Sequence, residues 1–413
     1  MKQICPQINF IIVGYLSLLV LGLSDNLRGP LFPEILRDLN LSDTSGSLFF
    51  VVSALFSTVG SIFIRFIYDR FGATISLRPA LIMIFLGLIG TGVSRSLSVL
   101  LVSSVVLGIG FGSLGFLENI LVTKGAGSKN PYLRQLLSGL HSMYGLSSFL
   151  APAIVTILHR HGFNWNHIFL LAAIAPLLLL FYTLTMKEVN VVSVNEKAQS
   201  KLPIPSVEAK GLQIHQILFA LVVTFYVLGE VLISSRLALY IQRTTAGPLV
   251  SASSLLEYSS QMVMYFFIAL FLGRLLFTFM PWKFSNLRLM QLSLGLSLIS
   301  TIIGIMFSPY GFAISGFWMG PFFPTSIAYA VEIFKTKSDS AIWWALTLFS
   351  FGLVVMHFIV GVVSDHFGIS VALSLAPAFL VLAIILLMIE RWRYRNVNYC
   401  ENHENHGNHG NQI

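Results

Sequence analysis

The chain has 413 residues, 55% of them hydrophobic and 10% charged, and its mean hydropathy is +0.81. Soluble domains carry about 25% charged residues, so water is not the main solvent of this fold. The net charge of +8 has too little polar sequence around it to build a nucleic-acid-binding domain, and two cysteines, Cys5 and Cys400, set up no disulfide framework.

A helix that crosses a bilayer needs about 20 apolar residues. By that ruler the sequence predicts helices at 8–36, 43–68, 77–94, 96–123, 132–158 and 165–186. A second set follows at 213–242, 253–280, 286–307, 309–334, 341–363 and 370–391. The first run has a weak basic start at Lys2 and no small-residue cleavage site before Asp25, so it reads as helix 1 and not as a removed signal. The expected organisation is an N-terminal six-helix unit at 1–186, a polar linker at 187–212 and a C-terminal six-helix unit at 213–391. A disordered His/Asn-rich tail is expected at 392–413; His403, His406 and His409 recur in it every third residue, so weak metal capture is the alternative to a dispensable tail, and no metal site is assigned.

Basic residues set the orientation. One side receives Lys2, Arg70, Arg78, Lys124, Lys129, Arg134, the linker lysines 187, 197, 201 and 210, and the cluster Arg391, Arg393 and Arg395. Lys283, Arg288, Lys335 and Lys337 fall on that same side. The other side receives Arg37, Arg95, Arg160 and Arg243. The asymmetry predicts an inner-membrane protein with both termini and the linker in the cytoplasm.

Gly110-Phe-Gly112-Ser-Leu-Gly115 matches the GxGxxG dinucleotide pattern letter for letter. That motif needs a strand before it and free amides facing a pyrophosphate. Inside an apolar helix these glycines predict a flat packing surface instead. No GxxxxGK[ST], zinc-ligand spacing or GxSxG occurs, so no ATP-driven pump, enzyme or cofactor is indicated.

Charges inside apolar runs carry the functional reading, since a charged side chain at bilayer depth faces a cavity or a partner. Asp25, Arg28, Glu118, Glu230 and Arg236 are such charges. Asp25 and Arg28 lie about 60° apart on one helix face, so a self-neutralising pair is one reading of them. Glu118 has apolar or small neighbours and no base nearby in sequence. A carboxyl of that kind can hold a proton at membrane depth and couple it to transport; the plainer alternative is a structural carboxylate. Arg28 and Arg236 are also able to grip an anion together in bidentate fashion, unless Glu230 neutralises Arg28. Tyr226, Trp318 and Phe322 can stack on a solute or simply pack. His141 and His357 are expected to be hydrogen-bonded structural histidines.

Tyr68-Asp69-Arg70-Phe71-Gly72, between helices 2 and 3, resembles the loop signature of the major facilitator superfamily, although the family's preceding Gly is Arg65 here. Asp69, Arg70 and Gly72 are the expected conformational latch. Further segments resemble the fucose permease-like sugar-transporter branch: Asp25-Asn26-Leu-Arg28-Gly29-Pro30, Gly115-Phe-Leu-Glu118-Asn119, His141-Ser-Met-Tyr144-Gly145, Phe225-Tyr226-Val-Leu-Gly229-Glu230 and Gly316-Phe-Trp318-Met-Gly320-Pro321. Two departures stand out. Gly29 occupies the place where the branch has its helix-1 aspartate, and Arg236 stands where a Trp is expected.

The resemblance implies an all-α integral membrane fold of twelve helices in two pseudo-symmetric six-helix bundles, with a midplane solute site and alternating access. It implies proton coupling through Glu118, with Asp25 and Glu230 next in line. Solute contacts are expected from Arg28, Asn26, Asn119, Tyr226, Arg236, Trp318 and Phe322. The expected function is proton-coupled secondary transport of a small polar, sugar-like solute by a monomer. An organic-anion carrier using Arg28 and Arg236, a drug or metabolite exporter, and a transport-dead sensor remain the alternatives.

Overall fold

The computed structural model describes residues 8–127, 132–186, 210–245, 252–279 and 284–408. In a lipid solvent every backbone N–H and C=O must find its partner within the chain, and the apolar runs do so as helices. These are α1 (Ile8–Asn26), α2 (Arg28–Asp38), α3 (Asp43–Gly92), α4 (Leu97–Ala126), α5 (Leu133–Arg160), α6 (Trp165–Ala172) and α7 (Ile174–Thr185). The second half holds α8 (Lys210–Thr245), α9 (Ala252–Phe279), α10 (Asn286–Met306), α11 (Tyr310–Met319), α12 (Phe322–Phe334), α13 (Ser338–Phe367), α14 (Ile369–Leu373) and α15 (Leu375–Asn408). Serine hydroxyls start three of them: Ser42, Ser96 and Ser285 accept from the N–H three residues on, where the helix has no carbonyl to offer.

Ten helical spans among the described residues are long and apolar enough to cross a membrane. Asp43–Gly92 is two crossings, because Gly72 leaves the helical region with φ 80° and ψ 178°. A side chain is strained at that φ, which is why glycine stands at the turn. Tyr310–Phe334 crosses as two pieces, since Pro321 and Pro324 lack the N–H groups that would bond Phe317 and Gly320. The described residues thus make twelve crossings. Pro30 breaks the first one in the same way, releasing the carbonyl of Asn26 just where Asp25 and Arg28 sit.

Within the first half α4 packs on α1 and α3, and α5 on α1; within the second α8 packs on α9, α13 and α15, and α11 on α9 and α10. Glycines make the closest approaches, in the same way in both halves. A Cβ at Gly108 or Gly112 would overlap the carbonyl of Ser53 or Ser57, and one at Gly60 that of Ile109. In the second half a Cβ at Gly273 would overlap the Phe317 carbonyl, and one at Gly320 that of Leu270. The GxGxxG run is thus a helix-packing surface.

The halves meet through α2 on α8, α3 on α13 and α5 on α9. We call the side carrying the start of α1 and the end of α15 the terminal face, and the other side the opposite face. The linker expected at 187–212 lies outside the described residues as far as 209. The tail departs from expectation: α15 continues as helix through Asn408, over most of the segment expected to be disordered.

Candidate functional site: a central cavity between the halves

Hydrogen bonds and ion pairs that join the halves cluster at the opposite face. Arg243 on α8 holds both oxygens of Asp43 at the start of α3, at 2.5 and 2.6 Å. Asp365 at the end of α13 accepts the Asp43 and Thr44 amides at 2.7 and 2.8 Å, capping the first turn of α3. Ser364 donates to Asp43, and Arg160 pairs with Glu257. Beneath this closed layer lies a cavity of about 610 Å³, lined from both halves. Its lining runs from Arg28, Ser235 and His357 below the closed layer to Glu118, His141 and Arg274 on the terminal-face side.

Helical periodicity decides who faces it. On α8 the lining residues are Val227, Glu230, Val231, Ser234 and Ser235; on α4 they are Phe111, Gly115 and Glu118. Arg236 stands about 180° around the helix from Val227, and it does not line the cavity. Asn119, one residue past Glu118, turns its amide back to the Gly115 carbonyl at 3.4 Å and does not line it either. Tyr226 and Phe322 stack on each other at 4.0 Å between ring centroids, and Trp318 packs against Phe277 and Phe317. Of the expected solute contacts, Arg28 and Asn26 reach the cavity, and Arg236, Asn119, Tyr226, Trp318 and Phe322 do not.

Two charge clusters face each other across the space. In the first half Arg28 pairs with Asp25 and donates to Ser53, while the Tyr144 hydroxyl donates to the other Asp25 oxygen at 2.9 Å. The self-neutralising pair expected from the spacing is present. In the second half Glu230 receives the Tyr226 hydroxyl and is 3.3 Å from Arg274 on α9. Each cluster is a carboxylate held by one tyrosine and one arginine. Glu230 therefore neutralises Arg274, not Arg28.

Glu118 is different. It lines the cavity at 4% exposure, and its Oε2 has no hydrogen-bond partner among the described residues. Burial disfavours the charged form of a carboxyl unless a partner compensates it. Here none does.

Sequence reasoning missed Arg274, although a charge inside the apolar run 253–280 is the same signal that singled out the others. It also missed the buried contact of Glu34 with His159, whose Oε1 and Nε2 lie 2.7 Å apart and tie α2 to α5. His141 and His357 both line the cavity, and neither has the expected hydrogen bond among the described residues; the Phe50 ring stacks on His357. Of the expected latch, Gly72 makes the turn inside α3, and Asp69 and Arg70 are exposed with no ion pair among the described residues. Arg70 instead lies over the Phe71 ring. No cluster of metal-ligating side chains occurs among the described residues.

Two helical halves closing on a cavity that carries a paired charge cluster from each half define a membrane solute carrier. The Major Facilitator Superfamily model matches residues 14–342, and the chain belongs to that family. It is similar in structure to a point mutant of the nucleoside transporter NupG, with a TM-score of 0.73 at 12% identity, covering 94% of this chain and 99% of the other. The xylose transporter XylE from E. coli, in a partially occluded inward-open conformation, matches with a TM-score of 0.67 at 13% identity, covering 93% and 97%. A structure concerned with substrate recognition in proton-dependent oligopeptide transporters matches with a TM-score of 0.71 at 14% identity, covering 94% and 98%. At such identities the likeness is one of fold. No curated protein sequence shows significant similarity to this chain.

Proposed function

We propose that this protein is a proton-coupled secondary carrier of a small, uncharged polar solute, working by rocking of its two halves about the central cavity. One observation carries the reading. Both arginines on the cavity are neutralised by a carboxylate of their own half, while Glu118 lines the same space with no partner for its Oε2 among the described residues. A carboxylate–arginine pair offers adjacent acceptors and donors, which suits hydroxyl groups that both donate and accept. Glu118 supplies the group that takes up and releases the proton. The helix motifs that resemble the fucose permease-like branch add support for a sugar-like solute.

The organic-anion alternative is less well supported, because Arg236 lies off the cavity and Arg28 is engaged by Asp25. The excess of basic residues on the terminal face supports an inner-membrane location with both termini cytoplasmic. The conformation described then faces the cytoplasm. Asp69, Arg70 and Gly72 belong to the face that is apart in this conformation, so their latch role would be exercised in the other state. Nothing in the cavity calls for a second copy of the chain, and we take the working unit to be a monomer.

The test is uptake into liposomes of the purified chain, with solutes first screened by thermal shift. Glu118→Gln is expected to abolish accumulation driven by a proton gradient while retaining solute counterflow, since the amide mimics the protonated acid. A Glu118→Gln protein that still concentrates solute would assign coupling elsewhere. Near-normal solute affinity in both Arg28→Lys and Arg236→Lys is expected; a tenfold to hundredfold loss in both, at about 1.5–3 kcal/mol per charged hydrogen bond, would restore the anion reading.

A further inference from the structure

Arg236 belongs to the second half, yet the groups that hold its guanidinium belong to the first. Its Cζ lies 4.3 Å from the ring centroid of Phe32 on α2 and 4.6 Å from that of Phe50 on α3. Its Nη2 donates to Ser47 on α3 at 2.9 Å. The side chain is buried at 1% exposure, and Nη1 has no hydrogen-bond partner among the described residues. Backbones approach closely around it. A Cβ at Gly29 would stand 2.7 Å from the Ser234 carbonyl, and one at Gly361 would stand 2.9 Å from Cα of Thr44. Arg28 reaches the same Phe50 ring at 5.1 Å, and His357 stacks on it at 4.9 Å.

We propose that Arg236 is a clamp between the halves, a cation of the second half locked into an aromatic box of the first. It holds the opposite face closed and lets go when that face opens. A desolvated cation over aromatic faces is bound more strongly than one in water, and the attraction needs the rings close and face-on. Water entering between α2 and α8 would hydrate the guanidinium and end the interaction, so the clamp is either engaged or released. The Asp43–Arg243 pair in the same interface is a second lock: its arginine side chain is 42% exposed, but Asp43 is buried and held by both guanidinium nitrogens and by Ser364. Arg236 makes no ion pair among the described residues, so the two rings and Ser47 carry its hold.

This inference rests on the proposed rocking of the halves, and it is tested on a different readout from proton coupling. In the full chain, with Cys5 and Cys400 replaced by Ser, spin labels at Arg95→Cys and Val371→Cys report the separation of the halves at the opposite face. In proteoliposomes Arg236→Gln is expected to raise the wide-separation population about tenfold. Phe32→Leu and Phe50→Leu keep the cation and dismantle the box, so each is expected to shift the population in the same direction even if Arg236→Gln folds poorly. Adding Phe50→Leu to Arg236→Gln is expected to add no further shift. Unchanged distances in Arg236→Gln or in both Phe variants would overturn the clamp. Loss of coupling in Glu118→Gln is independent of all these distances, so the two readings fail separately.

Discussion

The two halves solve one problem with different materials. Each puts a carboxylate on the cavity and satisfies it with a tyrosine and an arginine. In the first half the arginine comes from the same crossing, three residues from Asp25 at the start of α2, and the tyrosine from α5. In the second the tyrosine comes from the same helix, four residues from Glu230, and the arginine from α9. Local spacing thus supplies the cation in one half and the hydrogen bond in the other. What the halves share is neutrality at the cavity wall, and Glu118 stands out against it.

The helix contacts that both halves need are the most sensitive to substitution. Gly112→Ala and Gly320→Ala each drive a methyl group into a backbone carbonyl. Each is expected to cost about 3 kcal/mol, the upper end for overpacking, read as a lost or much lowered unfolding transition in detergent. If one is tolerated, the halves are not packed alike.

Removing a cation comes next. Arg274→Gln strips Glu230 of its charge partner and is expected to cost about 2 kcal/mol, below the figure for fully buried pairs because the arginine side chain is 28% exposed. The double variant with Glu230→Gln should recover most of that loss. No recovery would mean that the pair matters less than its packing. Arg28→Gln is expected to cost somewhat less, about 1–2 kcal/mol, since the Asp25 side chain it leaves behind is 27% exposed against 17% for Glu230 and stays nearer water. The smallest effects belong to the tyrosines. Tyr144→Phe and Tyr226→Phe each remove one hydroxyl and should cost about 1 kcal/mol, with a severalfold fall in solute affinity for Tyr144→Phe because it lines the cavity. An equal fall in affinity for Tyr226→Phe would show that Glu230 is positioned through its tyrosine.

Much of this was legible in advance, for reasons of solvent. Lipid forces unbroken apolar runs into helices, so counting the runs found the twelve crossings, even where Gly72 hides two in one helix and Pro321 splits another. The same solvent makes every intramembrane charge conspicuous, which singled out Asp25, Arg28, Glu118 and Glu230. The Asp25–Arg28 pair was readable because it is local. Arg274 carried the same signal and was passed over.

The tertiary structure alone decided which face each helix turns to the cavity. Arg236 and Tyr226 have the composition of binding residues, but rotation about α8 sends one into a box of Phe32 and Phe50 and the other behind Glu230. A sequence determines which residues share a helix face, through the 3.6-residue period. It does not determine which face meets the cavity and which meets another helix, because that depends on contacts such as Gly29 with Ser234, made by residues some 200 positions apart in the chain. Neutrality of the cavity wall, and the exception that Glu118 makes to it, became visible only with those contacts in place.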